Sequence, residues 1–298
     1  LNFPRVVLTG TIFLFGLIGL AGIVKKATFV GRNGCSKSHY PSEKIQDEKG
    51  DGLTPLVAIE GKFPRIDRVH ELFAKHSSLP IVKTITYKSN VSWLKGRPAW
   101  ISDYAARYKT SSHFIARSLA GKAQYDAPAV FEGDQFTLYE EKVQIHFFLV
   151  VDRSLCQMGL YYLDKIHGER VFLKAYPVSL GKKEKNGTPK GVFSLGSKVG
   201  IYKKGEMGYH LGRKVEMIQV FGTRWMPLKG ASKIGIQGSP IIEGKEIVSQ
   251  GYSTDGCIKM SKGDIEELFA IVSGRPTAVI ITDDFSSARL PGREVAQL

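Results

Sequence analysis

The stretch Val143–Asp152 reads VQIHFFLVVD, and runs of the same kind follow it: QMGLYYLD at 157–164, ERVFLKAYPVSLG at 169–181, GVFSLGS at 191–197, KIGIQGS at 233–239 and AVIITDD at 278–284. Each is short, rich in β-branched and aromatic residues, and bounded by Gly, Pro, Asp or Lys, the pattern of strands joined by turns. Strands in this number and spacing close as a sandwich or barrel. One amphipathic segment, GDIEELFAIVSG at 263–274, stands before the last run as an inserted helix. The expected class is α+β, with a mostly β domain over residues 142–285 and a surface tail over 286–298.

Upstream, PRIDRVHELFAKH (64–76) sets Ile66, Val69, Leu72 and Phe73 on one helical face, with Pro64 to open the helix and SSLP to close it. IVKTITYKSNVSW (81–93) reads as a strand, AWISDYAARYK (99–109) and SHFIARSLAG (112–121) as helices, and FEGDQFTLYEE (131–141) as a second strand. Residues 61–141 therefore form a small strand-helix-helix-strand module. With YAARYKTSSHFIARSL in its middle and VFEGDQFTLY at its end, it resembles a LysM carbohydrate-binding module. The usual Gly-Asp after the first strand is absent, and any two helices packed on two strands would give the same order.

From Val6 to Val24 nineteen residues, VVLTGTIFLFGLIGLAGIV, carry no charge. As a helix this run spans the ~30 Å hydrocarbon core of a bilayer. It is longer than the apolar core of a signal peptide and is not followed by an A-x-A cleavage pattern, so residues 1–24 are expected to be an uncleaved membrane anchor. The polar, turn-rich stretch 25–60, which holds Cys35 and His39, reads as a solvated linker.

The chain of 298 residues carries 42 Lys+Arg against 28 Asp+Glu, a formal charge of +14. That balance suits anionic surroundings: nucleic acid, lipid headgroups or wall polymer. A nucleic-acid partner is not expected, because no recognition motif accompanies the charge and the anchor conflicts with it. Cys35, Cys156 and Cys257 are too few and too scattered for a disulfide framework or a zinc site, so no metal is expected and at least one thiol should be free. The chain has neither a P-loop nor a dinucleotide fingerprint, and no cofactor is expected.

Ser253–Met260 reads STDGCIKM. A cysteine after Gly at the end of a turn suits nucleophilic work, since the Gly permits a tight backbone whose N–H groups can face an oxyanion. Taken alone, a Gly-Cys pair is more often an inert core thiol. Its surroundings change that. Val151-Asp152, Leu160-Tyr161-Tyr162, Gly181, then Thr188-Pro189-Lys190-Gly191-Val192-Phe193, GTRWMPLKG (222–230) and IGIQGSP (234–240) follow in order. Over about 143–284 this resembles the L,D-transpeptidases of the YkuD family. The family motif is a His, then after a gap Ser or Thr, a variable residue, Gly-Cys, a hydrophobic residue, and Asn or Arg. Here 16 residues separate Gln237 from Thr254, and Thr254-Asp255-Gly256-Cys257-Ile258-Lys259 follows.

The resemblance implies that Cys257 is the nucleophile, attacking the carbonyl between the third and fourth residues of a peptidoglycan stem peptide to expel D-Ala and form a thioester. It implies that the Gly256 and Cys257 amides line an oxyanion hole and that the Gly238 carbonyl orients the base. The family's His falls on Gln237, which cannot take a proton from a thiol or carry positive charge. Asp255 and Lys259 also depart from the commonest residues, and an anion at 255 tends to raise a neighbouring thiol's pKa.

His210, in MGYHLG, is the candidate substitute base, or else a surface loop histidine. His146 and His167 read as structural or solvated. Arg224 and Trp225 offer a guanidinium and a ring for a stem peptide, or equally a surface Arg and a core Trp, and Thr254 and Asp255 complete the expected substrate-binding set. The expected function is an anchored L,D-transpeptidase with peptidoglycan as partner, the cytoplasmic membrane as its seat and its folded part in the periplasm or extracytoplasmic space. The alternative is a catalytically silent peptidoglycan-binding scaffold.

Overall fold

The computed structural model describes residues 62–120, 130–182 and 186–295. The expected anchor and linker lie outside them. Among the described residues no helix is long and apolar enough to cross a membrane.

The module comes first: α1 (Val69–Phe73), β1 (Val82–Thr86), α2 (Ile101–Arg107), α3 (Ser112–Ala120) and β2 (Gln135–Tyr139). β1 and β2 pair antiparallel, Val82 opposite Tyr139 and Thr86 opposite Gln135, which gives the strand-helix-helix-strand order read from the sequence. Two boundaries differ. α1 starts at Val69 rather than near Pro64, because Asp67 bridges to Lys174 and its Oδ1 accepts the Val69 N–H at 3.1 Å. Ile66 then falls on a different apolar cluster from Val69 and Leu72. β1 ends at Thr86 rather than 93, because the chain turns to pack on Tyr104. The Tyr104 hydroxyl donates to the Lys88 carbonyl at 2.9 Å, the Tyr87 hydroxyl to the Ala99 carbonyl at 2.6 Å, and Trp93 stands edge-on to the Tyr104 ring at 5.2 Å.

The second part opens with three long strands, β3 (Ile145–Asp152), β4 (Gln157–Asp164) and β5 (Glu169–Pro177), followed by β6 (Ser179–Gly181), β7 (Gly191–Leu195) and β8 (Gly200–Ile201). Next come the hairpin β9 (Met207–His210) and β10 (Arg213–Glu216), then α4 (Ile218–Phe221), β11 (Arg224–Lys229) and β12 (Gly235–Gly238). The remaining elements are β13 (Ile241–Ile242), β14 (Lys245–Glu246), β15 (Gly251–Thr254), β16 (Ile258–Met260), α5 (Lys262–Val272), β17 (Thr277–Thr282) and β18 (Arg293–Glu294). Twelve strands form one sheet in the order β15-β6-β16-β12-β11-β7-β17-β3-β4-β5-β18, with β8 beside β11. One buried cluster draws on both ends of that sheet, with Ile236, Ile258 and Met260 from one and Leu149, Leu160 and Leu173 from the other, together with Leu268, Phe269 and Ile271 of α5. The architecture is β-rich with few helices, as a sandwich requires.

The run ERVFLKAYPVSLG, expected as one strand, is broken at Val178. Its N–H leaves the ladder for the Cys156 carbonyl at 2.9 Å, after Pro177, which has no N–H to give. β5 thus stays beside β4, while β6 crosses to lie between β15 and β16. The residues after Phe285 are not a free tail. β18 pairs parallel with β5, and Phe285 and Leu290 pack on the cluster of Phe63, Phe148 and Tyr161. Asp152, fully buried, ties this corner: its Oδ1 accepts the Ser154 N–H, the Ser154 hydroxyl and the Leu155 N–H, and its Oδ2 the Phe285 N–H at 2.7 Å. A buried carboxylate is tolerated when its lone pairs are filled in this way.

α5 joins the module to the sheet. Ser261 caps it, accepting the Asp264 N–H at 3.2 Å. Its last carbonyls, which no helical N–H can reach, accept the Ser111 hydroxyl at Ala270 (2.9 Å) and the Tyr139 hydroxyl at Ile271 (2.7 Å). Glu267 gathers Arg117 of α3 and Lys174 and Tyr176 of β5.

Candidate functional site

β12 lies between β11 and β16. Gln237 is opposite Trp225 on one side and Lys259 on the other, while Ile236, Ile258, Met226 and Met260 at alternate positions are buried in the core. Side chains alternate across a strand. Trp225, Gln237 and Lys259 therefore share the outer face, and Cys257, two residues before Lys259, comes up on that face at the mouth of the Thr254–Cys257 turn.

The turn is held by its own residues. The Thr254 hydroxyl donates to the Cys257 carbonyl at 2.6 Å, and Gly256 takes φ +108°, a conformation that side chains rarely adopt. A Cβ there would stand 2.6 Å from Ile234 Cδ1, so Gly256 is required by space as well as by backbone. Thr254 and Gly256 are buried and Asp255 is exposed. Gly238, at the end of β12, is buried against Ile265 and the Gly222 turn.

Cys257 is half-buried and is a free thiol, whereas Cys156 is disulfide-bonded. The Cys257 Sγ donates to the Lys233 carbonyl at 3.6 Å. Burial pushes this thiol above its ordinary range; the Gly235 N–H, which favours the thiolate, works against that, and the Asp255 carboxylate adds to the rise. The reactive species is the thiolate. Alkylation of Cys257 by iodoacetamide is therefore expected to keep accelerating beyond about pH 8.5, the midpoint of an unperturbed thiol, and Asp255→Asn to speed it at neutral pH. A rate that levels off below pH 8 would contradict this account.

Trp225 lies on the thiol's face of the sheet and Arg224 on the other. A Cβ on Gly235 would meet Trp225 Cη2 at 2.6 Å, so the glycine is what lets the indole lie against β12 beside the N–H that faces Cys257. Arg224 is turned to the opposite face, 9% exposed, with its guanidinium 5.3 Å from the Phe269 ring centre and its Nη1 donating to the Thr223 carbonyl at 2.7 Å. The pair thus reverses the plain alternative of a surface Arg and a core Trp. His210, on β9, packs edge-on against Phe221 at 5.1 Å, and Phe221 lies 4.8 Å from Trp225. It sits at the outer end of a row of rings, and the polar contacts of Cys257 are with Lys233 and Gly235 instead. The Gln237 Nε2 donates to the Val220 carbonyl at 3.3 Å, fastening α4 over the row. His146 lies on β3, its pKa drawn down by burial and by Lys165 and Arg275, and His167 is an exposed partner of Asp164 at 2.6 Å.

Sequence reasoning missed Lys233 and Gly235, whose contributions are main-chain atoms. It noted Lys259 only as a departure from a motif, although alternation with Ile258 and Met260 was there to place it on the thiol's face.

Cys257 is thus a free, half-buried thiol on a glycine turn, with the Gly235 main-chain N–H beside it and Trp225 on the same face of the sheet. Residues 146–281 match the family model of YkuD, the L,D-transpeptidase catalytic domain. Among solved structures the chain is similar to Bd1075 of Bdellovibrio bacteriovorus (16% identity, 46% of this chain and 48% of that one, TM-score 0.33). It is also similar to the helical cell shape determining protein Pgp2 of Campylobacter jejuni (13% identity, 50% of this chain and 51% of that one, TM-score 0.36). The chain thus spans about half the length of these structures. No curated protein matches it.

Proposed function

We propose that this chain is an L,D-transpeptidase acting on peptidoglycan through a Cys257 thioester. The observation that carries the proposal is the Cys257 thiol, at the motif's position within the YkuD match and on one sheet face with Gln237 and Trp225. The sulfur attacks the carbonyl between the third and fourth stem residues, with the Gly256 and Cys257 amides receiving the oxyanion. The C–N bond breaks, D-Ala leaves with the thiol's proton on its amine, and a thioester remains. The amine of a neighbouring stem then attacks the thioester, breaking the C–S bond and returning the proton to sulfur. Thr254 holds the turn, Trp225 supplies a face for the donor peptide, and no cofactor enters.

The experiment is mass spectrometry of the protein after incubation with a carbapenem or a muropeptide. The expected result is an adduct on Cys257, absent from Cys257→Ala. An adduct on any other residue, or one that persists in Cys257→Ala, would overturn the assignment.

A second reading, a silent peptidoglycan-binding scaffold that uses the LysM-like module, is favoured by one observation. The group at the base's position is an amide engaged with Val220, and the pKa of the Cys257 thiol is raised. Absence of any adduct under these conditions would support it.

The working place we propose is outside the cytoplasmic membrane, with residues 1–24 as the anchor. The disulfide at Cys156 supports an oxidising compartment. Protease added to intact spheroplasts is expected to digest the folded part, and protection of that part would refute the orientation.

A further inference from the structure

Six residues line up in register across the outer face: Gly251, Ser179, Lys259, Gln237, Trp225 and Gly200, on β15, β6, β16, β12, β11 and β8. The neighbours of Lys259 in that row are neutral and already engaged. The Ser179 hydroxyl donates to the Ser249 carbonyl, and the Gln237 amide to that of Val220 at 3.3 Å. Lys259 is different. Burial alone acts on it, drawing its pKa below the ordinary lysine range, and no acidic group of the described residues compensates it. A half-desolvated ammonium with no anion beside it is costly for a fold to keep, and an arriving carboxylate would relieve that cost.

We propose that Lys259 anchors the terminal carboxylate of the donor peptide, the carboxylate of the residue that leaves. This rests on the stem-peptide reading above and deepens it. Two residues of strand separate Cys257 from Lys259, about 6.6 Å. A carbonyl held for attack stands about 3–3.5 Å from the sulfur, and the next carboxyl carbon lies about one residue step, 3.8 Å, farther on. A donor laid along β16 with its scissile carbonyl at Cys257 thus brings its carboxylate to the level of Lys259. The same spacing argues against Lys259 as the base, since the influences on the thiol are burial, Gly235 and Asp255, with no contribution from Lys259. Gln237 and Trp225, next in the row, are left to contact the peptide's amide and apolar surface.

The test is binding by the full chain carrying Cys257→Ala, measured calorimetrically with a synthetic stem tetrapeptide ending in a free D-Ala carboxylate and with its C-terminal amide. The acid is expected to bind about 10- to 100-fold tighter than the amide, the range of a hydrogen bond to a charged group. Adding Lys259→Met should erase that preference, and Lys259→Arg should keep it. Thermal melting of Lys259→Met should match or exceed the parent, because an uncompensated charge has been removed. Equal binding of acid and amide, or a preference that survives Lys259→Met, would overturn the anchor while leaving the donor-peptide reading intact. No binding of either peptide would overturn both, and a large loss of stability in Lys259→Met would show a structural role instead.

Discussion

Gln237→His is expected to raise the rate of Cys257 acylation by about 10²- to 10⁴-fold, the usual worth of a general base. Gln237 occupies the motif's histidine position, opposite Trp225 and Lys259 on the face where Cys257 emerges. Its amide can donate and accept but cannot cycle a proton. The Cys257 thiol is held above its ordinary pKa, so the thiolate present at neutral pH is scarce and a base has much to contribute. An imidazole at 237 gives up the bond to the Val220 carbonyl, a modest loss at the site's edge. His210→Ala should leave the rate unchanged, because that ring is packed on Phe221. Stopped-flow acylation by a carbapenem measures both variants. If His210→Ala abolishes acylation, His210 is the working base after all; if Gln237→His is no faster than the parent, the thiol reacts through its own thiolate fraction.

The largest stability effect is expected at Glu267. Its Oε2 accepts from Arg117 Nη2 at 2.8 Å, and its Oε1 from Lys174 Nζ at 2.8 Å and the Tyr176 hydroxyl at 2.9 Å. The three charged side chains are 14%, 13% and 19% exposed for Glu267, Arg117 and Lys174. Glu267→Ala leaves Arg117 without its carboxylate, Lys174 with Asp67 alone at 3.0 Å, and a buried phenol without its acceptor. Removing one partner of a buried pair costs about 3–5 kcal/mol. A hollow of about 450 Å³ lined by Asp67, His70, Phe73, Arg117 and Glu267 lets water approach, which lowers the expected loss to roughly 2–4 kcal/mol. Urea unfolding followed by circular dichroism measures it. A change under about 0.5 kcal/mol would mean that the cluster behaves as an exposed surface pair. Because it links α3 of the module with α5 and β5, its loss should also loosen the module before the sheet, which hydrogen exchange along α3 would register.

Much of the architecture could be read from residue order alone. Strand runs at 143–284, the inserted helix at 263–274, the two helices at 99–121 and the Gly-Cys turn at 256–257 were all legible, because each is a local pattern of alternation, periodicity or turn chemistry. Asp152 was legible as a strand end but not as the acceptor of four donors, since two of its partners come from the following turn and a third, Phe285, from 133 positions away.

Pairing across distance settled the rest. No local pattern distinguishes one strand at 169–181 from two that part at Val178, because the break depends on which neighbours each half finds. The roles of Arg224 and Trp225 reversed for a similar reason: adjacent residues on a strand must face opposite ways, and only the contacts with Gly235 and Phe269 decide which way is in. The sequence by itself determined which thiol follows the glycine of the turn, Cys257, and that Gln237 stands at the motif's histidine position, both matters of residue type. Tertiary structure alone decided what lies on the thiol's side of the sheet: a main-chain N–H from β12, an indole lying on a glycine, and a lysine that no acidic group among the described residues compensates. Those depend on register between strands, a non-local property that residue order constrains but does not display.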